Sequence, residues 1–339
     1  MAEPVIQSSD AGPLAPGIEL LALPTPFHVG DVNTWLLHGE PLTLVDAGPR
    51  MESTEARLEV ELAARRLRVE DLELIVLTHQ HADHVGLAGR LARRSGAEVA
   101  ASADLARFMA DTQAALAADD AYAQALMRRH GVTGETVQTL ASITRAFHAY
   151  VGDVTVDRVL EAGDTLRAGG RDWRVHARPG HSPTDTVLAA DGVLLAGDHL
   201  LPRISSNPIA HLPIGADPQV TAASDDRPRP LLAYLASLEA TAAADRGERI
   251  LPGHGEAFTG AAQLIATRIA MTERRAEKIL AALDHERTAA DLGRDLWRHV
   301  PVTQAYLVLS EALGHLDLLE RQGRVSRREA GGEVLYSAT

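Results

Sequence analysis

With 339 residues, 45% hydrophobic and 23% charged, the chain is long enough for one large globular domain and a small one, and ordinary enough to bury a core. It has no cysteine, which excludes disulfides, thiolate metal ligands and a cysteine nucleophile, so any metal must be held by His, Asp and Glu. A net charge of −13, no signal-like start over Met1–Pro13 and no apolar run near the roughly 18 residues of a membrane span point to a cytoplasmic enzyme with no membrane contact, not a nucleic-acid coat.

Residues 1–17 are rich in Pro, Ser, Ala and Gly and are expected to form a loose tail. Three strands are predicted next, at Ile18–Leu23, Val32–His38 and Leu42–Asp46; the turn Gly39-Glu40-Pro41 separates the last two. Glu52–Leu67 carries Leu58 and Leu62 at helical spacing, and Leu72–Leu77 has the short apolar pattern of a buried strand. Gly86–Ser95 and Glu98–Ser102 read as a helix and a strand, so the alternation so far indicates an α/β layered fold. Residues 103–150 break that rhythm. They are alanine-rich and helical, with breaks near Gly131 and Gly134 and with Met109, Leu116, Tyr122, Leu126 and Met127 on an apolar face, and read equally as a helical insertion near the site mouth or as plain helical packing on the outside of the core.

Strand patterns return at Thr165–Leu166, Trp173–Ala177, Thr186–Ala189, Val193–Ala196 and from Arg249 to Pro252, with a helix over Pro230–Thr241. Beyond Gly260 three helices are predicted, at about Ala261–His285, Thr288–Asp295 and Thr303–Gln322. A β-hairpin of Gly323–Arg327 and Glu333–Ser337 follows. Three helices and a hairpin are the order of a winged-helix module. The expected division is therefore a domain over 18–260 and a small one over 261–339.

The chemistry concentrates in Thr78-His79-Gln80-His81-Ala82-Asp83-His84, directly after the Leu72–Leu77 strand. His79 and His81 are two apart, so in extended chain their rings point the same way, and Asp83 and His84 follow where the chain turns. Three more ligand types stand just past buried strands and beside a glycine that permits a sharp turn: His181, Asp198 and His254. Singly each is weak. Together with His79–His84 they form a dense set of metal-ligand side chains.

These motifs, with Gly180-His181, Gly197-Asp198, Pro252-Gly253-His254-Gly255 and the early Leu44-Val45-Asp46-Ala47-Gly48, resemble the metallo-β-lactamase superfamily over roughly residues 18–260. The resemblance implies an αββα sandwich with two divalent metals in a cleft at one edge. It implies that His79, His81 and His181 hold one metal, that Asp83, His84 and His254 hold the other, and that Asp198 bridges them. Asp46 is expected to steady a ligand from behind. Imidazole and carboxylate ligands fit zinc first, with iron or manganese also compatible. Two such cations would generate a bridging hydroxide near neutral pH, with Asp83 orienting it and passing its proton on. Having no cysteine, the chain looks closer to the glyoxalase II, lactonase, thioesterase and nuclease branches than to cysteine-liganded β-lactamases. The tail from Leu296 to Tyr336 resembles the winged-helix tail of β-lactamase-like hydrolases, which include an endoribonuclease and thioesterases.

The leading expectation is a binuclear metal-dependent hydrolase acting on a small-molecule or acyl substrate, an ester, thioester or lactone. Arg203, Asn207 and His211, which follow Asp198 closely in sequence, are candidate substrate contacts. The alternative is an endoribonuclease or phosphodiesterase whose tail contacts RNA. It is less favoured because Glu320, Glu329 and Glu333 interleave with Arg321, Arg324, Arg327 and Arg328. A tail packed on the core, closing the cleft or forming a homo-oligomer interface fits that mixture better.

Overall fold

The structure, a computed structural model, describes residues 14–224 and 227–339. The tail expected over 1–17 lies, as far as residue 13, outside them. The elements run β1 (Ile18–Leu23), β2 (Val32–Leu37), β3 (Thr43–Val45), α1 (Glu52–Ala64), β4 (Leu74–Val76), α2 (Ala82–Val85), α3 (Ala88–Ser95), β5 (Glu98–Ser102) and α4 (Ala103–Ala110). Next come α5 (Thr112–Arg129), α6 (Gly134–Phe147), β6 (Arg158–Leu160), β7 (Thr165–Ala168), β8 (Arg171–Ala177), β9 (Thr186–Ala190) and β10 (Val193–Gly197). The remainder is α7 (Pro218–Ala223), α8 (Pro230–Ala244), β11 (Arg249–Pro252), α9 (Ala261–Ala281), α10 (Ala289–Leu296), α11 (Ala305–Arg321), β12 (Val325–Ala330) and β13 (Glu333–Ala338). Among the described residues no helix is long and apolar enough to cross a membrane.

The chain divides into two compact units. The first comprises Met1–Thr112, Phe147–Ser206 and Thr241–Leu264. Its six-stranded sheet has the order β1-β2-β3-β4-β5-β6, antiparallel from β1 to β3 and parallel from β3 to β6. A second sheet has the order β11-β10-β9-β8-β7, with only β10 and β11 parallel. Trp35, Val45, Val76 and Ala100 of the first sheet share one apolar core with Trp173, Val175, Leu188 and Leu251 of the second. The period-2 alternation along β8 follows from this packing, since Trp173 and Val175 are buried while Asp172 and Arg174 are exposed. Helices α1 and α3 lie on the first sheet. The two sheets thus form a sandwich with helices outside.

Parallel pairing decides where the polar residues end up. Val45 pairs with Val76, so Asp46 and Thr78 leave their strands at the same edge. Leu195 pairs with Leu251 in the second sheet, which does the same for Asp198 and His254.

The second unit comprises Gln113–Ala146, Asn207–Ala240 and Ile265–Thr339. The three C-terminal helices and the hairpin fall where the sequence places them. The boundary differs from a division at residue 260, however, because residues 113–146 and 207–240 bury their apolar faces in this unit's core. Tyr122, Leu126, Val137 and Leu231 pack there with Ile279, Leu292, Leu313, Leu316 and Tyr336. An amphipathic face records that it must be covered, not what covers it. Of the residues expected on one face, Leu116 is only half-buried and Met109 belongs to the first unit. Helix α7, capped by the Asp217 carboxylate on the Gln219 and Val220 amides, was not anticipated.

In this core His130 is 1% exposed and stacks on Tyr336 at 6.0 Å, and neither ring nitrogen has a partner among the described residues. Burial, with Arg227, Arg129 and Arg327 nearby, holds its pKa well below the usual 6.5. The unfolded chain therefore takes up a proton that the native state refuses, so stability is complete above pH 6.5 and falls as pH drops through it. Between pH 7.5 and 5.5 the wild type is expected to lose about 1.4 kcal/mol more than His130→Phe. Denaturant titrations of both proteins at the two pH values check this; equal losses would refute it.

Candidate metal centre

Residues from several strand ends and loops meet at one edge of the sandwich. The apolar β4 is followed by Leu77 and Thr78, and His79 and His81 come next. Asp83 and His84 sit on α2, which begins right after His81. His181 lies in the turn after β8, Asp198 directly after β10 and His254 after β11. All seven are within reach of one another in three overlapping groups: His79 with His81 and His181, His79 with His84 and Asp198, and Asp83 with His84 and His254.

His81 Nδ1 lies 3.1 Å from His79 Nε2 and 2.9 Å from His181 Nε2. His254 Nε2 is 3.3 Å from Asp83 Oδ2, and His84 Nε2 is 4.0 Å from Asp83 Oδ1. Asp198 stands between the groups, with Oδ1 at 3.5 Å from His84 Nε2 and Oδ2 at 3.7 Å from His181 Nε2 and 3.6 Å from His254 Nε2. A tetrahedral cation with ligand bonds of about 2.0–2.2 Å has ligand–ligand edges of roughly 3.3–3.6 Å. The observed spacings bracket that range. His84 Nε2, His254 Nε2 and Asp198 Oδ1 are also buried without a hydrogen-bond partner among the described residues. Buried polar atoms are rarely left so, and a cation is the partner that lone pairs on imidazole and carboxylate share. The donor set therefore fits two divalent metals.

Behind the ligands, other groups fix ring orientation. Asp46 Oδ2 lies 2.8 Å from His84 Nδ1, and Asp46 Oδ1 accepts the Thr78 amide at 2.9 Å. Asp46 itself is held at φ 61°, a left-handed conformation that Asp tolerates better than most residues. His254 Nδ1 is 2.8 Å from the Asp31 carbonyl, and Thr78 Oγ1 is 3.0 Å from His79 Nδ1. In His84, His254 and His79 this leaves Nε2 facing the other ligands.

Burial and then the surrounding His84, His81, His181 and His254 hold His79 well below the usual imidazole range, as a neutral lone-pair donor. For His84 burial acts against charge, but Asp46, Asp198 and Asp83 outweigh it and push the ring up to about 10. Burial alone would raise Asp83, yet His84, His254 and His81 keep its carboxyl below the normal carboxylate range. Asp198 is pushed up by burial, which His84 and His254 offset only in part. Three carboxylates thus crowd one imidazole, an excess of negative charge suited to bound cations.

The three candidate substrate contacts have the following partners. Arg203 pairs with Glu256 at 2.9 Å on the surface. Asn207 Nδ2 donates to the Leu307 carbonyl at 3.4 Å, and His211 Nδ1 lies 3.0 Å from the Ile209 carbonyl, both within the second unit. Sequence reasoning missed Gln80, whose Oε1 accepts from the hydroxyls of Ser182, at 3.0 Å, and Thr184, tying the His79–His81 loop to the His181 turn. Its position between two ligands was the available signal. It also missed an aromatic group: Phe27 meets Phe147 at 5.5 Å and Tyr150 at 5.8 Å between ring centroids. Phe27 lies in the loop that delivers the Asp31 carbonyl, and the Tyr150 carbonyl accepts the Arg50 amide beside Gly86, two residues past His84. Phe147 and Val29 are exposed.

A sequence profile described as the metallo-beta-lactamase superfamily matches residues 28–254. The chain is 32% identical to the probable metallo-hydrolase YqjP of Bacillus subtilis over 319 residues, 93% of this chain and 96% of that protein. Among solved structures it is similar to a metallo-beta-lactamase family protein from Thermus thermophilus, with a TM-score of 0.77 at 29% identity over 96% of this chain and 100% of that one. A beta-lactamase domain protein from Burkholderia ambifaria gives 0.79 at 28% identity, covering 97% and 93%.

Proposed function

The chain belongs to the metallo-beta-lactamase superfamily and is a metal-dependent hydrolase, and from that premise we propose that it cleaves an ester, thioester or lactone of a small acyl substrate with two cations bound at the His79–His254 centre. The observation that carries the reading is the convergence of seven ligand side chains with buried, partnerless lone pairs on His84, His254 and Asp198. His79, His81 and His181 would hold one cation, Asp83, His84 and His254 the other, and Asp198 both. When bound, the cations supply Lewis-acid charge that acidifies water and stabilises the developing oxyanion. With no sulfur ligand in the set, zinc suits it first and iron or manganese also fit.

The chain's own groups do the rest. Asp83, kept ionised by His84 and His254, orients the attacking water, accepts its proton and returns it to the leaving oxygen or sulfur. Asp46 keeps His84 turned toward the centre. Phe27, Phe147 and Tyr150 offer an apolar surface for an acyl group close to the His254 loop.

The phosphodiesterase alternative draws less support. The hairpin arginines are engaged: Arg324 with Glu277 at 2.5 Å, Arg327 with Glu320 at 2.9 Å, and Arg328 with Glu286. Helix α11, which would be the reading helix of a winged-helix module, is buried over Leu309–Leu319 apart from a half-buried Glu311. Neither leaves the open basic stripe that phosphate binding uses.

Metal analysis should find about two divalent cations per chain. A panel of thioesters, esters, lactones, phosphodiesters and RNA should show carbonyl cleavage that a chelator abolishes and added zinc, manganese or iron restores. Hydrolysis persisting in the double variant His79→Ala/Asp198→Ala would sink the metal mechanism. Phosphodiester or RNA cleavage alone would reverse the choice of substrate. On an apolar acyl substrate, Phe27→Ala is expected to raise KM several-fold with little change in kcat, because the ring contributes binding common to ground and transition states. Equal KM values would remove the aromatic group from the substrate site.

A further inference from the structure

Outside the candidate ligand set, one hydroxyl touches two of the three turns that carry candidate ligands from the second sheet, those of His181 and Asp198. Arg178 follows the end of β8 and opens the turn whose tip is His181; its Nε donates to Thr241 Oγ1 at 3.0 Å. His199 follows Asp198, and its Nε2 lies 2.9 Å from the same Thr241 Oγ1. Thr241 and His199 are buried, at 6% and 0% exposure. An arginine can only donate, so Thr241 accepts from Arg178, and the hydroxyl's remaining hydrogen or second lone pair serves His199 according to that ring's tautomer. We propose that Thr241, on α8, is a positioning residue for the metal centre, clamping the His181 turn to the Asp198 turn through Arg178 and His199. The inference rests on the two-metal reading above.

Two features make the clamp consequential. A cavity of about 190 Å³ opens beside it, lined by His176, Arg178, Thr241, Asp245 and Glu248 among others. Without the hydroxyl, Arg178 has room to swing into that space, toward Asp245 and Glu248, and release the base of the His181 turn. The turn is also closed on itself, by the Arg178 amide on the Asp185 carbonyl at 2.8 Å and the Ser182 amide on the Asp185 carboxylate at 2.9 Å, and its far side is tied to Gln80 through Ser182 and Thr184, so Arg178 is the link at its base toward the Asp198 turn. Asp198 is anchored at its carbonyl by the Ser206 hydroxyl, so its side-chain direction depends on the segment that His199 continues.

The test compares full-length wild type, Thr241→Val, which keeps the shape and removes the hydroxyl, and Thr241→Ser, which restores it. Each is loaded with cobalt(II); its visible absorption spectrum is recorded, and its metal affinity is measured by competition with a chromogenic chelator. The valine variant should bind metal roughly 10- to 100-fold more weakly with an altered spectrum, as for lost partners behind ligands, and the serine variant should return both readings to wild type. Wild-type affinity and spectrum in the valine variant, or a serine variant as weak as the valine one, would overturn the clamp while leaving the metal centre standing. A wild type that takes up no cobalt overturns the metal centre itself, and the clamp with it. If the valine variant does not fold, Arg178→Met cuts one arm and should weaken metal binding in the same way; unchanged affinity there overturns the proposal.

Discussion

Gly253→Ala is expected to remove metal-dependent hydrolysis from a folded protein. A Cβ at this position would stand 2.1 Å from Asp198 Oδ1 and 2.8 Å from His84 Cε1, both side chains of the proposed ligand set. The backbone cannot back away, because the Gly253 amide donates to the Gly197 carbonyl at 2.7 Å and its own carbonyl accepts the Asn33 amide at 2.7 Å. The Asn33 side chain also grips the Pro252 and Gly255 carbonyls at 2.9 and 2.7 Å. The carboxylate must therefore move by about an ångström, a displacement that costs on the order of 100-fold in rate when it falls on reacting geometry. Two ligands are disturbed at once, so a larger loss is expected, with metal content reduced in parallel. Steady-state kcat/KM and metal analysis of the variant check this. Activity within tenfold of wild type would show that the centre tolerates a displaced Asp198.

Asp46→Asn should be nearly as damaging, although Asp46 is not among the seven ligands. Its two oxygens accept from the Thr78 amide and hydroxyl and face His84 Nδ1 at 2.8 Å, and the residue is 2% exposed. An asparagine replaces one acceptor by an NH2 group, which must then meet either the Thr78 amide or the His84 Nδ1 proton, donor against donor. The variant also loses the charge that does most to offset burial at His84. Metal affinity is expected to fall roughly 10- to 100-fold, and stability by on the order of 1–3 kcal/mol for a buried group left unsatisfied. Chelator competition and denaturant unfolding separate the two effects. Unchanged affinity alongside lost stability would make Asp46 a purely structural residue.

Much of the candidate centre is legible in the sequence because the side chains that meet there follow short apolar strands beside turn-permitting glycines. Asp46 could be read as a supporting residue for the same reason. What stayed hidden works through other channels. The Asp31 carbonyl that orients His254 carries no side-chain signature, and Thr241 lies 63 residues after Arg178 and 42 after His199, a separation no local pattern encodes. Arg203, Asn207 and His211 are near Asp198 in sequence, but Asn207 and His211 come after Ser206, where the chain leaves the first unit. Residues 113–146 show the same limit of reading by contiguity. Their helices were readable from alanine content and spacing, but their partners, α9 to α11 and the hairpin, come more than 100 residues later.

That interrupted second unit has a consequence for the order in which the protein can be made. The first unit has all of its chain once Leu264 is synthesised, whereas the core around Tyr122, Leu126 and Val137 awaits Tyr336. At synthesis rates of roughly 5–20 residues per second, those apolar helix faces stay uncovered for several seconds after the first unit is complete. During that interval the nascent chain presents its greatest liability to aggregation and its best target for a chaperone, while the strand ends that carry the seven ligands have all been made.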